Sequence, residues 1–316
     1  MADLKPVAST LPTSSPESAN DLLSVHGLDR DARASLQIQA EALSQRLRLP
    51  LRSARGGMTG QWLGASIGAS LEFQDHRQYQ PGDDPRYLNW AAYARTGQYT
   101  MKMFREEVSP RLDVVLDCSP SMFLTHSKAA RTLELLAFTV ACAARAGALL
   151  RVYQANSETA EELPLDSLRG QSWQPLPKTN RPGAPMLGRV LWRAQSLRIV
   201  ISDLLYAVPP EGVLASLLHT PGRAILFSPW SRVEAEPDWD GQIDLLECES
   251  GERRVFHVLP SRLERYRGNY RRHFALWDEA CRARNVALAR VGDEGALQDR
   301  LMESAVPSGA VELAQT

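Results

Sequence analysis

The stretch from Arg111 to Met122 constrains the fold of this chain more than any other. Arg111-Leu112-Asp113-Val114-Val115-Leu116-Asp117 is a short run of branched apolar residues that passes straight into the polar turn Cys118-Ser119-Pro120-Ser121-Met122. An apolar run of this length reads as a buried strand. The pattern Asp-x-Ser-x-Ser then places three oxygen ligands, Asp117, Ser119 and Ser121, at the carboxyl end of that strand, where open α/β sheets bind their ligands. A carboxylate with two hydroxyls suits a hard cation such as Mg²⁺ or Mn²⁺ rather than zinc. A second strand, Leu197-Arg198-Ile199-Val200-Ile201-Ser202-Asp203, ends in another acid. A plainer reading stands beside the metal. Ser119 or Ser121 could cap the helix that begins near Ser127, worth about 1 kcal/mol, and Asp203 could cap the helix that follows it. Spacing alone leaves these alternatives open.

The pattern around these strands is alternating. Ser127–Gly147 is a long apolar helix, Leu149–Gln154 a strand, Gln171–Gly188 a proline-rich loop and Met186–Ala194 a short helix. After Asp203 come a helix near Gly212–His219, a strand at Arg223–Ser228, and a hairpin of Ile243–Cys248 with Arg253–Val258 around Ser250-Gly251. A long arginine-rich helix follows at Ser261–Asn285, then a strand at Val286–Val291 and a helix at Glu294–Ser304. Strands alternating with helices imply an α/β protein with a doubly wound, mostly parallel sheet.

Upstream the reading is different. Residues 1–20 are rich in Ser, Pro, Ala and Thr and are expected to be disordered. Asp29–Arg48 has the apolar spacing of an amphipathic helix ended before Pro50. The glycines between Arg52 and Gly68 are spaced wrongly for a phosphate-binding loop, and no Gly-Lys-Ser/Thr follows them. A dense polar block, Glu72 to Arg86, contains the turn Pro81-Gly82-Asp83-Asp84-Pro85. Asp83, Asp84 and Arg86 could form an acid–base group, but a solvated salt bridge on an exposed turn explains them as well. Glu72, Asp75 and Arg77 read as a structural ion-pair network. Tyr99–Phe104 is a strand leading into the opening motif.

Composition excludes several classes. A net charge of −1 argues against non-specific nucleic-acid binding, which needs a concentrated basic face. Lysine is scarce, with copies only at Lys5, Lys102, Lys128 and Lys178. Cys118, Cys142, Cys248 and Cys281 form no CxxC pair, and Cys118 and Cys142 fall in apolar surroundings, as buried thiols of a reducing compartment do. His76, His126 and His273 have no partners at ligand spacing. The arginines between Arg262 and Arg272 read as a solvated helix face. No basic region followed by an apolar core opens the sequence. The longest apolar candidate, Leu135–Ala144, is about half the roughly 20 residues of a membrane span. A cytoplasmic location with no membrane span is expected.

The polar block, the Asp-x-Ser-x-Ser motif and Ser202-Asp203 follow one another in an order that resembles the domain of unknown function 58 (DUF58) family. The residues that carry the resemblance are Glu72, Phe73, Asp75, Arg77, Tyr79, Pro81, Gly82, Asp83, Asp84, Arg86 and Trp90. It continues through Ala94-Arg95, Lys102 and Phe104 to Asp117, Ser119, Ser121, Met122 and Ser202-Asp203, spanning about residues 45–303. The resemblance implies a von Willebrand factor A-like domain with a metal-ion-dependent adhesion site. On that pattern Asp117, Ser119 and Ser121 are the first-loop ligands of Mg²⁺ or Mn²⁺, and Asp203 is the third-loop acid. Two positions depart from the family. Gly183-Ala184-Pro185-Met186 stands where a second-loop threonine is usual, with Thr179 out of register, and Asn89 replaces the aspartate of Ile-Asp-Trp. A site short of one hydroxyl should hold metal weakly or only with a partner, because Mg²⁺ demands nearly ideal octahedral ligation.

The expected division is a tail at 1–20, an N-terminal helix with a β/loop segment at 21–105, the von Willebrand factor A-like domain at 106–303 and a tail at 304–316. The resemblance implies a non-enzymatic adaptor. It would work with a MoxR-type AAA+ ATPase and a client protein in chaperone-like assembly or maturation. The alternative is a Mg²⁺-dependent hydrolase or phosphatase using Asp117 and Asp203. Against it, Ser119 occupies the place where such phosphatases carry a second acid, and no Gly-x-Ser-x-Gly elbow occurs.

Overall fold

The computed structural model describes residues 30–51, 71–81, 85–106, 109–166, 183–246 and 253–314. The tail at 1–20, the glycine-rich stretch, Asp83 and Asp84, Cys248, Thr179 and the hairpin turn at Ser250-Gly251 lie outside the described residues.

In chain order the elements begin with helix α1 (Arg30–Ser44) and the two-residue strand β1 (Leu47–Arg48). Strand β2 (Leu71–Gln78), helix α2 (Trp90–Thr96) and strand β3 (Thr100–Glu106) follow. Then come β4 (Arg111–Asp117), α3 (His126–Arg145), β5 (Leu149–Ala155), β6 (Ala160–Leu163) and β7 (Ser196–Ile201). The remainder is α4 (Pro210–Leu218), β8 (Gly222–Trp230), α5 (Arg232–Ala235), β9 (Gly241–Leu246), β10 (Arg253–Val258), α6 (Pro260–Ala283), β11 (Ala287–Gly292), α7 (Leu297–Arg300) and β12 (Glu312–Leu313).

The chain divides into two compact units, residues 55–109 and the remainder. In the smaller one, β2 and β3 pair antiparallel, with a register irregularity between Phe73 and Asp75. Asn89 caps α2, its side chain accepting from Ala92 N at 3.1 Å. This is the cap an aspartate would also supply, so the departure from Ile-Asp-Trp costs the helix nothing. Tyr93 and Tyr99 stack at 4.4 Å between ring centroids.

The larger unit is built on a six-stranded sheet of order β11-β8-β7-β4-β5-β6. All neighbours are parallel except β6, which runs antiparallel on the edge. Counted from β4, this is the 3-2-1-4-5-6 order of doubly wound sheets. The strands alternate in what they bury. Leu112, Val114, Leu116, Leu197, Ile199 and Ile201 pack with α1 and α3 on one face, while Val115, Val200, Ala224 and Leu226 pack with α4 and α6 on the other. Period-two alternation with apolar residues on both faces is what a sheet covered by helices on each side requires.

Several elements differ from the sequence reading. Helix α1 ends at Ser44, and the chain enters β1, which pairs with β12. Helix α1 packs against α3 within the larger unit. The short helix expected over Met186–Ala194 is only a 3-10 turn at Leu187–Arg189. Leu187, Val190 and Trp192 are all buried there, but Gly188 weakens helix formation, and Trp192 donates its indole N–H to Leu187 O at 3.1 Å instead. The helix expected at Glu294–Ser304 is one α turn that widens into a π turn at Leu301–Ala305. No helix among the described residues is long and apolar enough to cross a membrane.

Candidate functional site

Strands β4 and β7 lie side by side at the centre of the sheet. The helices that follow them, α3 and α4, pack on opposite faces. The two connections therefore part at the carboxyl end and leave a crevice, the switch point where doubly wound sheets bind ligands. Asp117 ends β4, and Asp203 stands just beyond β7. Both acids are buried.

Asp117 is held from two sides. Its Oδ1 accepts the backbone N–H of Ser119 at 2.9 Å, and its Oδ2 accepts the hydroxyl of Ser202 at 2.6 Å. Burial, and then the nearby charge of Asp203, push its carboxyl up to about 7, against the hydrogen bonds from Ser202 and Ser119. Ser119 Oγ and Ser121 Oγ are 3.1 Å apart. Tyr206 lies beside both acids, and its hydroxyl is buried without a hydrogen bond of sound geometry. Burial pushes that phenol well above its ordinary range.

The third loop is braced in turn. Ser202 Oγ accepts from Leu204 N at 3.2 Å, and Asp203 N–H points to Met122 Sδ at 3.1 Å, joining the first and third loops. Leu204 has φ of +61°, a left-handed conformation that costs a leucine of order 1–3 kcal/mol and needs surrounding support. Leu204 is itself buried, and His273 Nε2 lies 2.7 Å from its carbonyl.

The charge partner of Asp203 is a lysine. Lys128, in the first turn of α3, is completely buried. Its Nζ donates to Asp203 Oδ2 at 2.8 Å and to Glu234 Oε1 at 2.5 Å. Burial alone would discharge the amine, but Asp203 and Glu234 outweigh it and hold the ammonium above its ordinary pKa. Glu234 is fixed by a capping box: its Oε2 accepts Ser231 N at 3.0 Å, while Ser231 Oγ receives Glu234 N at 3.4 Å. The remaining oxygen of Asp203, Oδ1, accepts Leu205 N at 3.1 Å.

The structure thus brings Asp117, Ser119, Ser121 and Asp203 to one crevice. The capping alternative for the two serines is overturned, because Thr125 caps α3 with its hydroxyl 3.2 Å from Lys128 N. Ser119 precedes only a 3-10 turn and makes no side-chain cap.

These donors fit a dication only in the first loop. The serine oxygens are separated by about the 3 Å edge of a Mg²⁺ octahedron. In the second loop, Gly183 to Met186 offers no hydroxyl, and its backbone instead pairs Met186 N with Asn156 O at 2.9 Å. In the third loop, both oxygens of Asp203 are engaged. Among the described residues no three His, Cys, Asp or Glu side chains converge as ligands. Lys128, Glu234 and Tyr206 are not site residues in the sequence reading, and His273 enters it only as a histidine without partners at ligand spacing. Two signals for them exist: a lysine in the otherwise apolar and small face of α3 demands an acid, and Ser231-x-x-Glu234 is a capping-box pattern.

Residues 75–171, just under a third of the chain and including the whole first loop, match the family model described as "Protein of unknown function DUF58". No curated protein matches the chain. Among solved structures, the conserved hypothetical protein BatB from Bacteroides thetaiotaomicron is similar at 12% identity, over 63% of this chain and 98% of that one, with a TM-score of 0.34. What the chain is similar to, across its first-loop motif, is a DUF58 protein.

Proposed function

We propose that this chain is a non-enzymatic, protein-binding adaptor that recruits its partner at the carboxyl end of the central sheet. The observation that carries the reading is the rim of the crevice. Leu124 leaves the first loop, Leu205 and Val208 the third, Val233 lies in the short helix α5 after β8, and all four are exposed. Exposed apolar side chains on the segments that leave one end of the sheet offer a partner protein apolar surface to cover. The resemblance to DUF58 proteins supplies the proposed partner, a MoxR-type AAA+ ATPase acting on a client protein in chaperone-like assembly or maturation. ATP would be hydrolysed by that partner. Any Mg²⁺ or Mn²⁺ on Asp117, Ser119 and Ser121 would be held only once the partner brings the missing ligand.

The hydrolase alternative has less support. Both Asp117 oxygens already accept hydrogen bonds, and neither is left free to attack as a nucleophile. The test of the adaptor reading is co-purification with a MoxR-type ATPase from the same genome. Wild type should retain the ATPase, and Leu205→Glu with Val208→Glu should release it while melting normally. Retention by that double variant would sink the proposed surface. Phosphatase turnover that disappears in Asp117→Asn would favour the enzyme.

A further inference from the structure

We propose that Lys128 supplies, from inside the fold, the positive charge that a divalent cation would otherwise bring to the third-loop acid, so that the crevice is assembled without metal and resists taking one up. This deepens the adaptor reading only in what it says of the crevice, and rests on the placement of Asp117, Ser119, Ser121 and Asp203 there.

Three carboxylates, Asp117, Asp203 and Glu234, are drawn into one poorly solvated region. Buried acids of like sign need a compensating cation, a proton or a metal. The structure provides one compensating ammonium, with no exposed surface, bonded to two of the three acids at 2.8 and 2.5 Å. It is not a surface lysine that has folded inward. Its backbone N–H is fixed by the Thr125 cap, and the carbonyl of Lys128 accepts Thr132 Oγ at 2.8 Å. Its acceptor Glu234 is pinned by Ser231 on the far side of the crevice. The ammonium therefore ties the start of α3 to the third loop and to the turn after β8.

Geometry points the same way. The third-loop acid of a metal site needs free lone pairs for the cation's waters. Here Asp203 Oδ2 faces Lys128, and Oδ1 takes Leu205 N. A dication seated on Ser119 and Ser121 would meet a fixed like charge behind its only third-loop acid, and Coulomb repulsion in a poorly solvated crevice is strong. Ala184 and Pro185, the described part of the second loop nearest the motif, carry no hydroxyl or acid to offset that. The lysine and the incomplete donor set are two signs of one design, in which the adhesion-site loops keep their shape and the cation is covalently attached.

The experiment is a Mn²⁺ titration of the full chain by calorimetry, with melting curves in Mn²⁺ and in chelator. Wild type should give no saturable binding at millimolar Mn²⁺, and its melting midpoint should be the same in both media. Lys128→Met should bind Mn²⁺ at least roughly tenfold tighter than wild type, as expected for removing a like charge nearby, and should melt higher with Mn²⁺ than in chelator. Because Lys128→Met leaves three acids uncompensated and could fail to fold without metal, Lys128→Met with Glu234→Gln serves as the second variant. It keeps the shape and leaves two acids for a dication. Recovery of structure by Mn²⁺ in the single variant, or tighter binding in the folded double variant, supports the proposal. Wild type binding Mn²⁺ as tightly as the variants overturns it, and so does a folded double variant that takes up no more Mn²⁺ than wild type. These outcomes are separate from ATPase co-purification, which reads the rim and not the crevice.

Discussion

Asp117 carries two opposed assignments, acceptor for Ser119 and Ser202 and near neighbour of a second acid. Its folded carboxyl, pushed up to about 7 from an ordinary value of 3.8, holds its proton more tightly than the unfolded chain does. Stability from this group is complete below about pH 4 and is lost as pH rises through about 7. The loss is on the order of 4 kcal/mol at most, from about three units at about 1.4 kcal/mol each. Chemical denaturation at pH 5 and pH 8 should show it, and Asp117→Asn should flatten that difference, because the Ser202 hydroxyl can turn to accept from the new amide. An unchanged pH slope in Asp117→Asn would mean that another group sets it. The residue itself was legible in the sequence, as were Ser119, Ser121 and Asp203, since a strand that ends in an acid and two hydroxyls leaves a local signature. Lys128 was not. Its partners lie 75 and 106 residues away, and nothing local announces a pairing made only by the fold.

Among the elements, the central strands were legible because apolar runs buried on both faces need no partner to be recognised, and the exposed hairpin of β9 and β10 was legible from its turn at Ser250-Gly251. Edge strand β6, Ala160 to Leu163, carries two glutamates and no apolar pattern, and it exists only through antiparallel pairing with β5. The two-residue ladder of β1 with β12 is likewise a product of tertiary packing. The segment between the 3-10 turn and β7 owes its course to an ion pair instead of a helix. Arg193 Nη2 lies 2.6 Å from Asp113 Oδ1, Arg193 N donates to Asp113 Oδ2 at 3.0 Å, and the guanidinium also reaches Leu112 O and Leu149 O at 2.7 Å each. Asp113 is fully buried. Arg193→Ala therefore strands a charge in the sheet and should cost about 3–5 kcal/mol, read as a shift of the urea midpoint. A loss below about 1 kcal/mol would indicate that the pair is solvated in solution.

At the scale of the whole molecule, the strand order places both acids at one switch point while sending α3 and α4 to opposite faces. This arrangement was foreseeable from strands alternating with helices, but the division into units was not, because α1 joins the larger unit by packing against α3. The burial of Lys128 has a practical consequence for watching the molecule breathe. Of the chain's lysines, at positions 5, 102, 128 and 178, this one has no exposed surface and is bonded to two carboxylates. An amine-acylating reagent can reach it only when the first loop, the third loop and the turn after β8 come apart together. Its acylation rate, followed by peptide mass, should therefore fall far below that of the same lysine in the urea-unfolded chain and should rise in Glu234→Gln. Acylation as fast as in the unfolded chain would refute that closure. A single side chain would then serve as a clock for the opening of the crevice, at a free energy between loop fraying and global unfolding.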